Sequence, residues 1–209
     1  SIGVDIGGTF TDFSLVDGNG EITLWKEATT PKDPALAVQK GLVDLAEAKG
    51  STLEDFLGQA SLFVHGSTIA TNAIIQRNGP KTALVCTEGF RDVIYFRDGF
   101  KPERYNINLS PPTDFIPRHL RVPIEERMDY RGDVLVPFDE GSAARAIDEL
   151  KEQEVESIAV ALLWSIMNPK HEQRFKEMVE KEFPGVPVVI SSDVLPMIRE
   201  WERTCCTML

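Results

Sequence analysis

The sequence predicts an α/β fold with a mixed sheet, an antiparallel opening hairpin and helices on both faces. Three observations predict it. The first 30 residues contain three short apolar segments separated by turn signals, which is typical of antiparallel strands. Four later apolar runs are continuous rather than alternating, as in strands covered on both faces. Helical patterns separate those runs, as in strand–helix–strand units.

The opening segments predict three strands and a helix. "SIGVDI" and "TDFSLVD" are the first two strands, and "DGNG" predicts a hairpin turn after them because Asn and Gly tolerate positive φ. "EITLWKEA" is the third strand. In the segment that follows, the apolar residues share one helical face, with Asp33 as the N-cap and Gly50 after the last turn.

The rest of the chain alternates predicted strands and helices. We predict buried strands at the apolar runs 60–64, 82–86, 157–164 and 186–190. We predict helices at about 67–78, 139–153 and 169–183. Residues 97–120 are rich in Pro, Asn and Arg, so we predict an irregular segment that serves substrate specificity, an interface or a structural strap.

Composition bounds the class of protein. Of 209 residues, 22 are Lys or Arg and 33 are Asp or Glu, a net charge of −11 that disfavours nucleic acid and anionic membranes as partners. No apolar run approaches the roughly 20 residues that span a bilayer. Cys86, Cys205 and Cys206 form neither a metal-ligand spacing nor a disulfide framework. We therefore expect a cytoplasmic protein with reduced thiols.

The motif "VDIGGTFTD" near the start carries the first candidate site. It joins two predicted strands, so it is not a dinucleotide-binding loop, which opens a helix. Gly7 and Gly8 lack a Cβ and allow a phosphate to approach the backbone. Thr9 and Thr11 offer hydroxyl donors, and Asp5 offers an oxygen ligand for Mg²⁺. The same residues fit an ordinary tight turn equally well.

A second candidate motif is "HGSTIATNA", directly after the run 60–64. Ser67 or Thr68 can cap the following helix, whose first N–H groups favour an anion. His65 is a candidate general acid or base, because imidazole is the common proton-transfer group near neutral pH. The alternative is a histidine that only satisfies the strand–helix turn.

These motifs resemble a known family. "DIGGTFTD" resembles the first phosphate loop of the actin, hexokinase and heat-shock-chaperone ATPase superfamily, and more closely the N-terminal domain of the hydantoinase A/5-oxoprolinase family. The resemblance extends through "HGSTIATNAIIQRNGPKTALVCTEGFRDV", "ERMDYRGDVLVPFDE", "VALLWSIMNPKHE" and "LPMIREWERTCCTML", which together cover essentially the whole chain. It implies a ribonuclease-H-like lobe of the actin-like ATPase type.

The resemblance also implies an activity. The chain would be the N-terminal part of an ATP- and Mg²⁺-dependent hydrolase that activates a cyclic amide, such as a hydantoin, 5-oxoproline or a lactam, by phosphoryl transfer. One alternative is a subunit of an ATP-dependent ketone carboxylase acting on acetone or acetophenone. Another is a noncatalytic lobe that docks partner subunits. A sugar kinase is a weaker rival, because the matches beyond the phosphate loop would go unexplained.

The resemblance implies roles for particular residues. It makes Asp5 and His65 catalytic, with Asp5 also binding the metal. Four further residues would bind the cofactor: Gly7, Gly8, Thr9 and Thr11. Five would lie near the substrate: Thr68, Thr71, Asn72, Arg91 and Arg203. The vicinal Cys205 and Cys206 are expected to pack rather than to catalyse, since no base is near them in sequence.

The domain organisation predicted from the sequence is incomplete for such an enzyme. We predict a phosphate-loop lobe at 1–120 and a second α/β portion at 121–209. No second Asp-x-Gly-Gly-Thr motif follows, so we expect the C-terminal lobe to be absent and this piece to be inactive alone. The expected partners are a small carbonyl or amide substrate, the missing lobe, and either a second subunit of the hydantoinase B type or further copies of the chain.

Overall fold

The computed structural model describes residues 1–30, 32–97, 99, 103–110 and 113–209. The chain forms two compact units, Ser1–Asn78 and Gly79–Leu209. Unit 1 contains β1 (Ile2–Ile6), β2 (Phe10–Val16), β3 (Ile22–Ala28), α1 (Pro34–Ala48), α2 (Leu53–Gly58), β4 (Phe63–Ser67) and α3 (Ile69–Gln76). Unit 2 contains β5 (Thr82–Thr87), α4 (Val93–Phe96), a 3-10 turn (Arg118–Leu120), β6 (Arg121–Ile124), β7 (Arg127–Met128), β8 (Val134–Val136), α5 (Glu140–Glu152), β9 (Ser157–Ala161), α6 (Lys170–Glu182), β10 (Val188–Ile190), α7 (Ser191–Val194) and α8 (Glu200–Met208).

Unit 1 is built on a mixed four-stranded sheet in the order β3-β2-β1-β4. β1 pairs with β2 antiparallel and with β4 parallel, so the predicted α/β class with an antiparallel opening hairpin is confirmed. Alternate residues of β1 and β2 face a core formed with α1; it includes Ile2, Val4, Phe13 and Leu45. The other residues of β1, including Asp5, therefore lie on the opposite face of the sheet.

Helix α1 begins and ends where its sequence signals predict. The Asp33 side chain accepts a hydrogen bond from the Ala35 N–H at 3.1 Å, and Gly50 has a φ of +69° just beyond the helix. Gly41 lies in the middle of this helix, where glycine costs about 1 kcal/mol relative to alanine. Packing explains why glycine occupies this position, because a Cβ there would lie 2.3 Å from Cζ of the fully buried Phe13.

We expect Gly41→Ala to destabilise unit 1 by about 1–3 kcal/mol, because the added methyl overpacks the core against the Phe13 ring. Helix propensity alone predicts the opposite sign. Gly58→Ala is the matched control, since Gly58 is also helical and a Cβ there meets no atom within 4 Å. Urea unfolding of the two variants measures the difference, and equal midpoints would contradict the packing argument.

Unit 2 is built on a parallel four-stranded sheet in the order β10-β9-β5-β6. Its central strands β5 and β9 are almost entirely buried, as their continuous apolar sequences predict. The core packs α5 and α6 against the sheet, and Asp139 caps α5 by accepting from the Ser142 N–H at 2.5 Å. Burial in β5 raises the pKa of the Cys86 thiol to about 12, so this cysteine is chemically inert.

The division between the two compact units falls between Asn78 and Gly79, because β5 pairs with β6 and β9 and so belongs to the second sheet; the predicted portions 1–120 and 121–209 stay a prediction. One sequence prediction differs from the structure. The run 60–64 was predicted to be a strand covered on both faces, but β4 begins at Phe63 and all five of its residues are exposed. That prediction of burial is wrong because β4 lies at the edge of its sheet.

The remaining predicted elements occur close to their expected positions. The hairpin at Arg131-Gly132 joins β7 and β8, with Gly132 at a φ of +85°. Helix α2 was not predicted, since it is one short turn-like segment capped by Thr52. Part of the irregular segment 97–120 falls outside the described residues. Among the described residues, no helix is long and apolar enough to cross a membrane.

Candidate functional site

The Gly-Gly turn lies at the end of the β1–β2 hairpin in unit 1. The Gly7 N–H donates to the Phe10 carbonyl at 2.9 Å and closes the turn. A Cβ on Gly7 would lie 2.8 Å from that carbonyl oxygen, so only glycine fits there. A Cβ on Gly8 would meet only Asn72 Nδ2, at 3.5 Å, which is an ordinary contact. The protein's own packing therefore explains Gly7 but does not require glycine at position 8.

Thr29, just after β3, forms hydrogen bonds with the backbone of this turn. Its N–H donates to the Thr9 carbonyl at 3.0 Å, and its hydroxyl donates to the Gly7 carbonyl at 3.0 Å. The same hydroxyl lies 3.0 Å from that of Thr11, which is fully buried. Thr11 therefore acts through Thr29 on the turn, while Gly8 and Thr9 are exposed. Direct contact of Thr11 with a ligand stays a prediction.

Asp5 is exposed on the sheet face opposite the core, one residue before the end of β1. It is paired in register with Gly66 on β4 and with Asp12 on β2. The missing side chain of Gly66 leaves room for the Asp5 carboxylate, whose Oδ1 would lie 3.6 Å from a Cβ there. Asp12 lies on the same face and forms an ion pair with Lys26 at 2.9 Å.

Asp12 and Thr29 were not predicted from the sequence to belong to the site, although the hairpin pattern could have identified Asp12. Once a four-residue turn is placed at Gly7–Phe10, counting outward pairs Asp5 with Asp12. No comparable local signal marks Thr29, because its contact with the turn depends on the β2–β3 register.

The start of helix α3 lies beside the turn. The Thr68 N–H donates to the Ile6 carbonyl at 3.1 Å, and Thr68 Oγ1 lies 4.0 Å from the Cβ position of Gly7. The Asn72 amide donates to Thr68 Oγ1 at 3.3 Å and also faces Gly8. The structure thus brings Thr68 and Asn72, two residues predicted to be near the substrate, to the Gly-Gly turn. Thr71 is exposed on the same helix.

His65 lies on the other face of the sheet from Asp5. Its register partner in β1 is Val4, whose side chain faces the core, whereas Asp5 is paired with Gly66. Since paired residues of neighbouring strands share a face, the two residues predicted to be catalytic do not converge on one face. A role for His65 in proton transfer stays a prediction, without support from this register.

Arg91 and Arg203 belong to unit 2, where they line one internal cavity together with Cys86 and Thr87. The cavity has a volume of about 10 Å³, room for a single water molecule rather than a substrate. Arg203 is 1% exposed, and burial lowers the pKa of its guanidinium. The contact of these arginines with substrate, predicted from the sequence, therefore stays a prediction.

The contacts of Arg203 are structural. Its guanidinium donates to the carbonyls of Leu162 at 2.8 Å and Met197 at 3.0 Å, and to Ser191 Oγ at 3.1 Å. Ser191 in turn donates to the carboxylate of Glu172 at 2.6 Å. That carboxylate, also fully buried, accepts further hydrogen bonds from Leu162 N and from the N–H and hydroxyl of Ser192. This buried network joins α6, α7 and α8 to the end of β9.

No group of three or more His, Cys, Asp or Glu side chains among the described residues has the arrangement of a metal site. Asp5, with Asp12 paired to it on the same sheet face, lies near the Gly-Gly turn, and its predicted binding of Mg²⁺ stays a prediction.

The chain is an α/β protein whose opening hairpin, in unit 1, presents a glycine turn beside a carboxylate. The sequence profile described as the hydantoinase/oxoprolinase N-terminal region matches residues 1–183. The chain belongs to that family, and the family resemblance stated from its motifs is confirmed.

Similar proteins span both chemistries that the sequence suggested. Caprolactamase subunit alpha of Pseudomonas jessenii is 40% identical over 210 residues, covering 100% of this chain and 30% of the relative. The crystal structure of the ATP-dependent caprolactamase from that organism matches 99% of this chain and 30% of its own, at 41% identity and a TM-score of 0.84. A nucleotide-free acetone carboxylase, from work on ATP-dependent acetone carboxylation, matches 99% of this chain and 31% of its own, at 32% identity and a TM-score of 0.85. The chain thus spans under a third of the length of these relatives.

Proposed function

We propose that this chain is the N-terminal part of an ATP-dependent cyclic amide hydrolase, and that the Gly7–Thr9 turn receives the phosphates of ATP. The observation that carries the proposal is the exposed turn at the end of β1, between the Asp5 carboxylate and the start of α3. The 40% identity to a caprolactamase subunit supports an amide as the substrate class.

The residues present fit a nucleotide phosphate. Gly8 has an open Cβ position that the protein does not use, which leaves close approach of a ligand as the physical reason for glycine. Successive backbone N–H groups in such a turn form an anion-binding concavity. The first N–H groups of α3 add the positive end of a helix dipole nearby.

Each residue would have a distinct part in the reaction. ATP supplies the phosphoryl group that converts an inert amide into an electrophile. Asp5 would hold Mg²⁺ beside the phosphates. Gly8 and Thr9 would donate to phosphate oxygens, and Thr29 would keep the turn in the receiving geometry through its bonds to Gly7 and Thr9. Thr68 and Asn72 would orient the ligand at the α3 side of the turn.

A ketone carboxylase is the second candidate, supported by the 32% identity and TM-score of 0.85 to acetone carboxylase. The complete protein, incubated with ATP and one substrate at a time, distinguishes the two. Phosphate or ADP release stimulated by caprolactam, hydantoin or 5-oxoproline supports the amide hydrolase. Release stimulated only by a ketone together with bicarbonate would replace it with the carboxylase. The complete protein would act in the cytoplasm, with a C-terminal lobe and either a partner subunit or further copies of itself.

We expect the 209-residue chain alone to bind ATP with a Kd on the order of 1 mM. The turn contacts phosphate oxygens, but no second Asp-x-Gly-Gly-Thr motif occurs in this sequence to close the site from another side. Calorimetric titration with ATP and Mg²⁺ measures this affinity. Micromolar, magnesium-dependent binding would contradict the prediction that a closing half lies elsewhere.

A further inference from the structure

Unit 2 carries an open cleft of about 580 Å³, within the range of small-molecule sites. Helix α4 and the turn before it form one wall, and β7 forms another. The end of β9 and the start of α8 complete it. The lining residues that matter for the argument are Phe90, Phe96, Arg97, Arg127, Trp164 and Arg199. None of them belongs to the phosphate turn, which lies in unit 1.

The charges of the cleft favour an anion. Three guanidinium groups line it, against the two carboxylates of Asp92 and Glu200. The negative charge of Asp92 is neutralised by two arginines that do not line the cleft. Arg118 donates two hydrogen bonds to it, of 3.0 and 3.1 Å, and the buried Arg121 lies 3.4 Å from it. The Arg118 hydrogen bonds hold the pKa of Asp92 below its usual range. Arg199 is itself paired with Glu202 at 3.4 Å, which leaves the guanidinium groups of Arg97 and Arg127 against the carboxylate of Glu200. The cleft therefore keeps a net positive charge.

The aromatic residues add a flat apolar surface beside those charges. The Arg127 guanidinium lies over the Phe90 ring, with its Cζ 4.6 Å from the ring centroid, in a cation–π contact. Trp164 is half-buried in the opposite wall. Phe96 is 72% exposed, an unusual position for a phenylalanine.

Backbone strain marks the same cleft. Among the described residues, four that are not glycine have positive φ, and two of these, Arg97 (φ 53°) and Trp164 (φ 58°), line the cleft. Glycine would adopt these conformations at lower cost. Large side chains held in strained backbone are a feature of ligand sites, where the side chain itself is needed.

We propose that this cleft binds a small carboxylate with an apolar ring or chain. The carboxylate lies against Arg97 and Arg127, whose planar donors match it, and the apolar part lies against Phe90 and Trp164. The inference goes beyond the proposed ATP chemistry, because it rests on unit 2 alone and concerns binding rather than turnover.

The test uses the 209-residue chain with benzoate and its neutral isostere benzamide. Trp164 and Trp201 both line the cleft, so tryptophan fluorescence reports binding, and calorimetry checks it. We expect benzoate to bind at least about tenfold more tightly than benzamide. Arg97→Gln and Arg127→Gln should each weaken benzoate binding about tenfold, and substitution of Arg145, an exposed arginine on α5, by Gln should not.

Thermal unfolding of each variant confirms that a loss of binding is not a loss of fold, and two separate arginine variants keep the test valid if one fails to fold. Equal affinity for benzoate and benzamide would overturn the proposal, as would equal losses in Arg127→Gln and Arg145→Gln. Displacement of benzoate by inorganic phosphate at similar concentration would overturn the apolar part of the site. None of these outcomes depends on ATP, so the proposed function is tested separately.

Discussion

Asp5→Asn should lower ATP turnover of the complete protein by at least about a hundredfold. The amide keeps the shape of the carboxylate but cannot balance the charge of Mg²⁺ beside the phosphates. Asp5 is exposed, and its side chain lies over Gly66 rather than in the core, so the fold should tolerate the change. Phosphate release with a saturating amide or ketone substrate is the measurement.

Asp44→Asn is the matched control for this change. Asp44 is a surface residue of α1 in the same unit, paired with Lys40 at 3.1 Å in a contact that contributes only tenths of a kcal/mol. The ATP turnover of the Asp44→Asn protein should equal that of the unmodified protein. If Asp5→Asn also turns over normally while the subunits still assemble, the chain is a docking lobe and the catalytic proposal fails.

The second large effect is expected at Glu172, in the buried network of unit 2. Glu172→Gln should destabilise unit 2 by on the order of 3 kcal/mol, because an amide nitrogen cannot accept the hydrogen bonds that the buried carboxylate accepts from Leu162 N and Ser192 N. The buried Arg203, which Ser191 links to this carboxylate, would also lose a nearby opposite charge. For a protein of this size the melting temperature should fall by on the order of 10 °C.

Unfolding by urea separates this effect from a general one. Trp25 lies in unit 1, and Trp164 and Trp201 lie in unit 2, so the fluorescence of a Trp25→Phe background reports the unfolding of unit 2 alone. Glu180→Gln, an exposed glutamate on the same helix, should leave both transitions unchanged. If Glu172→Gln unfolds at the same urea concentration as Glu180→Gln, the buried carboxylate is not a stabilising element.

Local signals in the sequence were enough to predict many elements of the fold. Asp33 and Gly50 mark the two ends of α1, and Gly132 marks the β7–β8 turn, because caps and positive φ are properties of a few neighbouring residues. The unit boundary was not predictable in this way. It depends on β5 pairing with two strands that follow much later, which no local pattern encodes.

The candidate site shows the same division. The Gly-Gly turn and the adjacent Asp5 could be found from the motif alone. The burial of Thr11 against Thr29 could not, because it depends on the β2–β3 register. His65, on β4, shares a sheet face with the core residue Val4, and this placement likewise depends on the parallel pairing of β4 with β1. Spacing along the chain identified candidate groups, but strand register decides which of them share a face.

The strand order of the second sheet also bears on how the chain folds during synthesis. Strands β1, β2 and β3 are consecutive neighbours and can pair as soon as they emerge from the ribosome. Strand β5 can pair with β6 first, since Leu84 and its partner Arg121 are much closer in sequence, but its other neighbour β9 comes later because Thr82 and Ser157 are 75 positions apart. At about 5–20 residues per second, one edge of β5 stays unpaired for roughly 4–15 s. This interval is when a nascent chain would be most prone to aggregate or to need a chaperone.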